Sequence, residues 1–484
     1  MFIDFAPLTG KIQSLSAVQT NGRVAAVDSG SIKIAGLAHQ ARVGDQISIN
    51  ARGDMRGGEI VSLAHDHIRA MAYDPLEGIA IGDQVTLGAA NSAAPDITWI
   101  GRIIDAFGKP LDTGPLFQGS NVAELRRRPP AAAQRKAMGA RLNTRLAIFN
   151  TMLPIARGQR LGIFAGSGVG KTTLLAQLAR GLEADIVIIG LIGERGRELR
   201  DFIENALGAE GMKRAVVVVA TSDQSPLIKR RAAWMAMATA ENFRDQGKHV
   251  LLLMDSVTRF AEAHREIALT AGEAPSLRAY PPSTANLIAQ LAERAGPGPE
   301  GSGDITAVFT VLVAGSDMEE PVADITRGVL DGHIVLDRGI AERGRFPAAD
   351  IRRSVSRCLP TVATDAENSL IARTRRIIAA YEKAEPMIQT GLYVKGSDPL
   401  VDEAITFWPK LDSFFTSDGY DNTDESFGQL AALLGQPDPN QKAEEESVLF
   451  AEKHKSEFPS AVRSMSPPPD ETHEMDVRIN SDPA

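Results

Sequence analysis

The pattern of apolar and polar residues changes near residue 90. Before that point, short alternating runs such as GRVAAVDSGSIKIAGL and GDQVTLG are separated by turns that contain Gly and Asp. Alternation with a period of two is typical of strands that bury one face, and frequent turns favour antiparallel pairing. Residues 1–90 are therefore predicted to form a small N-terminal β-barrel.

Between residues 91 and 358, unbroken apolar runs alternate with helical stretches. The runs are ADIVIIGLIG, RAVVVVATS, HVLLLMDS, DITAVFTVLVAG and HIVLDR. Such β-branched runs indicate strands that are buried on both faces, and their alternation with helices indicates a parallel sheet. We predict an α/β core whose chemistry lies at the carboxyl ends of its strands.

The C-terminal quarter of the chain divides into two kinds of sequence. Residues 359–435 place apolar residues at helical spacing against an arginine-rich face, as in SLIARTRRIIAAYEKA, and are predicted to form a helical domain. Residues 436–484 are polar and rich in Pro and acidic residues, which predicts a disordered acidic tail.

The most informative stretch is RLGIFAGSGVGKTTLLAQLARGL, from Arg160 to Leu182, which has the pattern of a strand, a glycine-rich turn and a helix. Its glycines are expected to take positive φ and to point backbone N–H groups inward, and the helix N-terminus adds its positive dipole end. Such a turn, a P-loop, binds a polyphosphate. Lys171 would reach the β- and γ-phosphates, and the Thr172 hydroxyl would ligate Mg²⁺. The predicted nucleotide-binding residues are Ala165, Gly166, Ser167, Gly168, Val169, Gly170, Lys171, Thr172 and Thr173, where Ala165 replaces the Gly of the strict pattern.

Two acidic residues end later apolar strands. HVLLLMD ends on Asp255, a position that suits a water-mediated hold on Mg²⁺ in P-loop enzymes. ADIVIIGLIGE delivers Glu194 just past its strand, where a carboxylate can orient or deprotonate an attacking water. An isolated acid at a strand end is usually only a helix cap, but the order of P-loop, Glu194 and Asp255 favours a catalytic set.

Arginines form a second group of candidates. After the exposed-looking Phe346, the run ADIRRSVSR contains Arg352, Arg353 and Arg357. Phosphoryl transfer spreads negative charge over the phosphate oxygens, so that an added guanidinium accelerates it. At least two of the three are expected to be ordinary surface residues.

Composition narrows the function classes. The formal net charge is −9, and the predicted barrel is acidic and has few aromatic residues, which disfavours a surface that binds mainly nucleic acid. The basic stretch RRRPPAAAQRK is interpreted as a surface connection, because its prolines cannot continue a helix. The longest apolar runs are of strand length, the first ten residues do not resemble a leader, and Cys358 is the one cysteine. A cytoplasmic protein is expected.

Taken together, these motifs resemble the rotary ATPase catalytic-subunit family and, within it, the flagellar type III protein-export ATPases. The resemblance spans roughly Gly10 to Leu434 and is carried by AGSGVGKT, GERGRELRDFIE, LLLMDSVTRFAEA, RAYPPS and PVADITRGVLDGHIVLDR. Its most specific part is GLYVKGSDPLVDEAITFWPKLDSFF, from Gly391 to Phe415, which favours the flagellar enzyme over its virulence-injectisome counterpart.

The resemblance also implies roles for single residues. Lys171 and Thr172 become the phosphate and Mg²⁺ ligands, and Asp255 becomes the Walker B acid of the metal site. Glu194 polarises the lytic water. Further roles fall on arginines and one aromatic residue: Arg195 and Arg259 border the site, Phe346 stacks on adenine, and Arg357 is the arginine finger that enters the neighbouring subunit's site. The local signature departs from the family at Ala349, where a branched aliphatic residue is usual.

The expected assembly follows from two of these residues. In ATP synthase heads the catalytic Glu and the finger arginine lie on different chains, whereas this chain carries both Glu194 and Arg357. A homohexamer with six equivalent sites is therefore expected. The resemblance further implies ATP and Mg²⁺ as cofactors. The partners that it implies are a stator-like regulator, a coiled-coil stalk, a membrane export gate, and export substrates with their chaperones. It implies no nucleic-acid partner.

The predicted function is Mg²⁺-dependent ATP hydrolysis that powers export of flagellar proteins, at the cytoplasmic face of the inner membrane at the flagellar base. The alternatives are a virulence-injectisome ATPase and a ring-shaped RNA translocase of the transcription-termination type. A true ATP synthase subunit is disfavoured because Glu194 and Arg357 occur together. A nucleotide-sensing protein without activity is disfavoured because Glu194 is present.

Overall fold

The computed structural model describes residues 19–65, 67–88, 92–313 and 318–439. The predicted disordered tail lies outside these ranges from residue 440 onward. The boundaries predicted at residues 90, 358 and 435 stay predictions, while the barrel, the parallel sheet and the C-terminal helices that they separate are all present in the structure.

The N-terminal strands close into a barrel. They are β1 (Asn21–Asp28), β2 (Ser31–Ala35), β3 (Gln46–Ala51), β4 (Asp54–Leu63), β5 (Ile68–Ala72) and β6 (Gln84–Leu87). Their order is β1-β2-β5-β4-β3-β6, all neighbours are antiparallel, and the pair Asn21 with Thr86 closes the ring. Alternate residues such as Ile32, Ile34 and Val85 are buried inside, as the alternating sequence predicted.

The strands of the core follow. They are β7 (Ser92–Ala93), β8 (Ile103–Ile104), β9 (Ala123–Glu124), β10 (Arg160–Ala165), β11 (Ile186–Glu194), β12 (Ala215–Thr221), β13 (His249–Asp255), β14 (Gly296–Pro297), β15 (Asp304–Leu312), β16 (Gly332–Leu336) and β17 (Ala349–Ser356). In the described residues, nine of them form one sheet with the order β17-β16-β10-β15-β13-β11-β12-β8, and β14 pairs with β15. The neighbours from β16 to β8 are parallel, whereas β17 runs antiparallel to β16.

Helices cover both faces of this sheet. They are α1 (Ala147–Thr151), α2 (Lys171–Gly181), α3 (Gly196–Asp201), α4 (Gly208–Met212), α5 (Pro226–Asp245), α6 (Val257–Ala271), α7 (Ser283–Arg294), α8 (Pro321–Val329), α9 (Arg338–Glu342), α10 (Asp365–Gln389), α11 (Pro399–Phe414) and α12 (Thr423–Leu433). A π-helix covers Phe202–Leu207, and short 3₁₀ turns cover Ile97–Trp99, Ala132–Gln134 and Leu277–Ala279. The leucines of α2 pack on one face in a cluster that the C-terminal helices extend, and α5 and α6 pack on the other.

Polar contacts connect the barrel and the C-terminal helices to the core. Arg230 of α5 donates to Glu59 of β4 at 2.7 Å, and both side chains are buried. On the opposite side, Arg141 pairs with Glu367 of α10 at 2.8 Å. The stretch 126–136 is mostly exposed, as predicted for a surface connection.

The strand order determines where the site lies. β10 and β13 both neighbour β15, and β13 also neighbours β11. The carboxyl ends of β10, β13 and β11 therefore meet at one edge, and these are the strands that end at the P-loop, at Asp255 and at Glu194. Residues far apart in the sequence are brought together because parallel strands end on the same side of a sheet.

Candidate functional site

The glycine-rich turn after β10 has the conformation of a phosphate cradle. Gly168 and Gly170 adopt φ of +79° and +85°, in the left-handed region that favours glycine. A Cβ on Gly168 would point into open space, so that a ligand can approach its backbone closely. Among the described residues, no side chain caps the first turn of α2, which leaves its N–H groups available to an anion.

The prediction of positive φ was wrong for Gly166, which does not lie in the left-handed region. A Cβ there would come to 3.8 Å from the backbone oxygen of Val313, an ordinary contact. Ala165 is likewise accommodated because it is still the last residue of β10, paired with Leu312 and Leu336. The turn takes its left-handed residues only after it has left the strand.

Lys171 occupies the centre of the site. Its ammonium lies 2.5 Å from Oδ1 of Asp255 and 3.7 Å from Oε1 of Glu194. Asp255 is 4 % exposed, and its carboxylate also accepts a hydrogen bond from the hydroxyl of Thr310 at 2.6 Å. The structure thus brings together the three residues that the sequence placed at three separate strand ends.

The Glu194 carboxyl has the protonation behaviour of a general base. Burial raises its pKa to about 7, and the negative charge of Asp255 acts in the same direction, whereas Lys171 opposes it. Its Oε1 is buried and has no hydrogen-bond partner within the described part of the chain. A buried polar atom without a partner fits a bound water or other ligand at this point.

The two arginines that were predicted to border the site differ in position. Arg259, in the first turn of α6, packs against Gly193, where an added Cβ would lie 3.0 Å from the Arg259 Cβ. Its guanidinium pairs with Glu262 at 2.7 Å. Arg195 is mostly exposed and pairs with Glu198 at 2.8 Å. Arg259 therefore lies directly beside Glu194, while Arg195 lies on the surface that follows it.

The remaining residues of the cradle fit a nucleotide with its metal. Thr172 and Thr173 are exposed in the first turn of α2, whereas Val169 is buried in the core. Within the described ranges, no group of three or more His, Cys, Asp or Glu residues could hold a metal ion. Mg²⁺ typically binds through one or two protein groups plus substrate phosphates, and Thr172 with Asp255 suits that mode.

Phe346 lies against the outer side of the cradle. A Cβ on Gly170 would come to 3.0 Å from its ring carbon Cδ1, and the Phe346 side chain is nonetheless 45 % exposed. A half-exposed aromatic ring beside a phosphate cradle offers a face on which a base can stack.

Arg357 is not part of this cluster. It follows β17 at the opposite end of the sheet, where its backbone amide donates to the oxygen of Asp331 at 3.1 Å. Its side chain is exposed, and the described residues offer it neither a hydrogen bond nor an ion pair. Arg352 and Arg353, in contrast, pair with Glu382 at 2.5 Å and Asp337 at 3.6 Å.

Sequence reasoning missed two residues at this site. Thr310 donates to Asp255, and Arg338 of α9 donates to the backbone oxygen of Ser167 at 3.2 Å. The signal for Thr310 was a hydroxyl within the apolar run AVFTVLV. For Arg338 there was no signal, because its contact depends on how β16 and β10 pair.

Comparison with protein families assigns two parts of the chain. The model of the ATP synthase alpha/beta family, nucleotide-binding domain, matches residues 146–356. The model of the T3SS EscN ATPase C-terminal domain matches residues 363–432. The second match lies wholly within the described residues, and the first also spans residues 314–317.

Curated relatives match most of the chain. The flagellum-specific ATP synthase of Caulobacter vibrioides is 45 % identical over 437 residues, which covers 88 % of this chain and 98 % of that protein. The flagellum-specific ATP synthase of Salmonella typhimurium is 44 % identical over 348 residues, which covers 72 % of this chain and 75 % of that protein.

Solved structures share the fold. The assembled ATPase EscN from the type III secretion system of enteropathogenic E. coli superposes with a TM-score of 0.79 at 34 % identity, covering 85 % of this chain and all of that chain. EscN in complex with its central stalk EscO superposes with a TM-score of 0.77 at 35 % identity, with the same coverage. No helix in the described part of this chain is long and apolar enough to cross a membrane.

Proposed function

We propose that this chain, which belongs to the flagellum-specific type III protein-export ATPases of the ATP synthase alpha/beta family, couples Mg²⁺-dependent ATP hydrolysis to the export of flagellar proteins. The chain is an ATPase by family. The observation that carries the catalytic part of the proposal is the approach of Lys171 to both Asp255 and Glu194 at the mouth of the P-loop.

Each residue of the cluster has a distinct task. Lys171 binds the β- and γ-phosphates with an ammonium whose three donors allow it to contact Asp255 as well. Glu194 orients the attacking water and takes its proton, which a carboxyl with a pKa of about 7 can do at physiological pH. Arg259 and Arg195 border the same site, and Phe346 stacks on adenine.

Mg²⁺ bound with ATP supplies positive charge that neutralises the phosphate oxygens. The residues that would hold it are Thr172, through its hydroxyl, and Asp255, through a bound water. Both lie at the cradle, and both offer the oxygen ligands that Mg²⁺ prefers.

A complete site requires a second copy of the chain. Arg357 is exposed at the end of the sheet that is remote from its own cradle, which favours a role in the site of a neighbouring subunit. Since one chain carries both Glu194 and Arg357, a ring of identical subunits has one complete site at every interface. We take this ring to be a homohexamer, which accords with the assembled EscN that the chain resembles.

The proposed partners follow from the same family. EscN has been solved with its central stalk EscO, and a corresponding coiled-coil stalk would bind the ring of this protein. A stator-like regulator, the membrane export gate and export substrates with their chaperones complete the set, at the cytoplasmic face of the inner membrane at the flagellar base. We propose no nucleic-acid partner.

The test of the catalytic proposal is ATP hydrolysis by purified protein, with and without Mg²⁺. The mass of the particle is measured in parallel, with and without a non-hydrolysable ATP analogue. We expect Mg²⁺-dependent turnover and a sixfold mass with the analogue. Turnover that is unaffected by a chelator, or a mass that stays that of one chain, contradicts the respective part. Salt-dependent binding of poly-pyrimidine RNA would instead favour the translocase alternative.

A virulence-injectisome ATPase is the second candidate, because residues 363–432 match a domain model described for EscN. The two candidates predict different phenotypes for a cell that carries an inactive form of the enzyme. We expect a chromosomal Glu204→Gln control to swim normally, and Glu194→Gln to abolish flagellar filaments and motility. Normal motility combined with loss of effector secretion would favour the injectisome.

A further inference from the structure

Asp255 receives two contacts on the same oxygen. Lys171 reaches Oδ1 from the P-loop at 2.5 Å, and the Thr310 hydroxyl donates to the same Oδ1 at 2.6 Å. Thr310 is fully buried, and Asp255 is nearly so. Water therefore cannot replace the hydroxyl as a donor to this oxygen without a change in packing.

The position of Thr310 follows from the sheet. β15 lies between β10 and β13, and in this register Thr310 pairs with Ile163 of β10 while the preceding Phe309 pairs with Met254 of β13. Thr310 thus lies beside Asp255, on the strand between β10, which leads into the P-loop, and β13, which ends at Asp255. The hydroxyl is held by the sheet backbone and does not depend on a mobile loop.

Packing alone does not account for this hydroxyl. The residues around Thr310 in β15 are Val308, Phe309, Val311 and Leu312, and Val has a shape similar to Thr but lacks the hydroxyl that donates to Asp255. The Thr310 hydroxyl is also 3.4 Å from the backbone oxygen of Met254, but its one hydrogen serves the shorter bond to Asp255.

We infer that Thr310 is a positioning residue for the metal site: its hydroxyl holds Oδ1 of Asp255 and so leaves Oδ2 as the oxygen that binds the water ligand of Mg²⁺. This inference rests on the proposed function, because it assigns Thr310 a task in the Mg²⁺-dependent site. Residues that orient a metal-binding carboxylate commonly change metal affinity by roughly tenfold to a hundredfold when they are removed.

The test is a binding experiment with purified full-length protein and a fluorescent ATP analogue. The affinity of the protein for this analogue is measured without Mg²⁺ and across a Mg²⁺ titration, for wild type, Thr310→Val and Thr310→Ser. We expect Thr310→Val to need roughly tenfold to a hundredfold more Mg²⁺ for half-maximal enhancement, with little change in the affinity without metal. Thr310→Ser keeps the hydroxyl, and should behave like wild type.

Thr306→Val is the matched control. Thr306 is also fully buried on β15, four residues earlier, and its hydroxyl bonds His249 and the Gly158 amide. Thr306→Val therefore removes buried hydrogen bonds on the same strand, but at a position that is remote from the cradle. An equal rise in Mg²⁺ requirement in Thr306→Val and Thr310→Val would overturn the inference, since it would mean that any damage to β15 has this effect.

The outcomes separate the inference from the proposed function. If wild type binds the analogue equally well with and without Mg²⁺, the proposed metal dependence fails, and the inference with it. If wild type depends on Mg²⁺ and Thr310→Val has the same requirement, only the inference fails. Should Thr310→Val not fold, Thr310→Ala removes the hydroxyl without adding volume, and the same comparison with Thr310→Ser decides.

Discussion

Lys171 and Arg357 lie at opposite ends of the same sheet. Lys171 follows the carboxyl end of β10, whereas Arg357 lies beside Asp331, just before β16 begins. The five residues of β16 alone span about 13 Å at the rise of a parallel strand, which exceeds the length of an arginine side chain. Within one chain, the Arg357 side chain therefore starts from the end of the sheet that is remote from the cradle.

A mixing experiment tests whether Arg357 acts on a neighbouring subunit. A subunit with Arg357→Ala has an intact cradle and no finger, and one with Lys171→Ala has the reverse, so that each alone should lose roughly a thousandfold or more of its activity. Mixed rings contain interfaces with an intact Lys171 and an intact Arg357, and should hydrolyse ATP in single-turnover assays. If subunits exchange and no hydrolysis returns, the shared site is wrong. Arg352→Ala, which breaks a surface pair, is the control.

Lys171→Ala should abolish tight nucleotide binding. Backbone amides alone cannot offset the charge of the β- and γ-phosphates, and the change also leaves the buried Asp255 with one contact fewer. The measurement is the affinity for a fluorescent ATP analogue. Lys213→Ala removes an exposed lysine that pairs with Glu210, and should bind normally. Near-normal affinity in Lys171→Ala would contradict the P-loop assignment.

Glu194→Gln should separate binding from hydrolysis. Gln preserves the shape of the side chain but cannot accept a proton, so that we expect ATP to bind while the rate of hydrolysis falls by roughly two to four orders of magnitude. Glu204→Gln, at an exposed glutamate paired with Arg200, is the control for loss of one acid. Unchanged turnover in Glu194→Gln would move the catalytic base elsewhere.

Stability should fall in acid through buried histidines. His264 is 8 % exposed, and burial lowers its pKa to about 4, with the nearby charge of Arg230 acting in the same direction. In the unfolded chain the pKa is about 6.5. Between pH 6.5 and pH 4 only the unfolded chain binds this proton. The contribution of His264 to the free energy of unfolding is therefore complete above pH 6.5 and is lost as the pH falls towards 4.

The size of this effect can be measured by denaturation at pH 7 and pH 5. We expect His264 to account for about 2 kcal/mol of the loss at pH 5. His264→Gln should therefore show a shallower dependence, although the buried His249, whose pKa is likewise lowered to about 4, retains part of it. The exposed His39→Gln is the control. An unchanged slope in His264→Gln would show that this histidine does not titrate as the structure implies.

Removal of residues 440–484 should leave ATPase activity and melting temperature nearly unchanged. The segment lacks periodic apolar residues, and a segment of that composition buries little surface. The truncation keeps Asp438, which lies close to Gly428 of α12. A fall of several degrees in melting temperature on removal of the segment would show that it docks on the folded chain.

Much of the fold could be predicted from local patterns in the sequence. The barrel followed from alternation of apolar residues, the parallel strands from unbroken β-branched runs, and α2 from its leucines, because burial of one face or of both imposes a distinct period. The cradle could also be predicted from the sequence. Its left-handed residues, Gly168 and Gly170, and its lysine, Lys171, lie within four positions of the sequence, so that one short stretch contains nearly all of its geometry.

What the sequence determined by itself was therefore the set of chemical groups and the strand end on which each stands. Only the tertiary structure decided which of those ends meet. Hydrogen bonding between strands put β15 between β10 and β13, and so brought Thr310 to Asp255 and both to Lys171. The antiparallel return of β17 carried Arg357 to the far end of the sheet. Strand order is set by the packing of the whole core, and no short stretch of sequence contains that information.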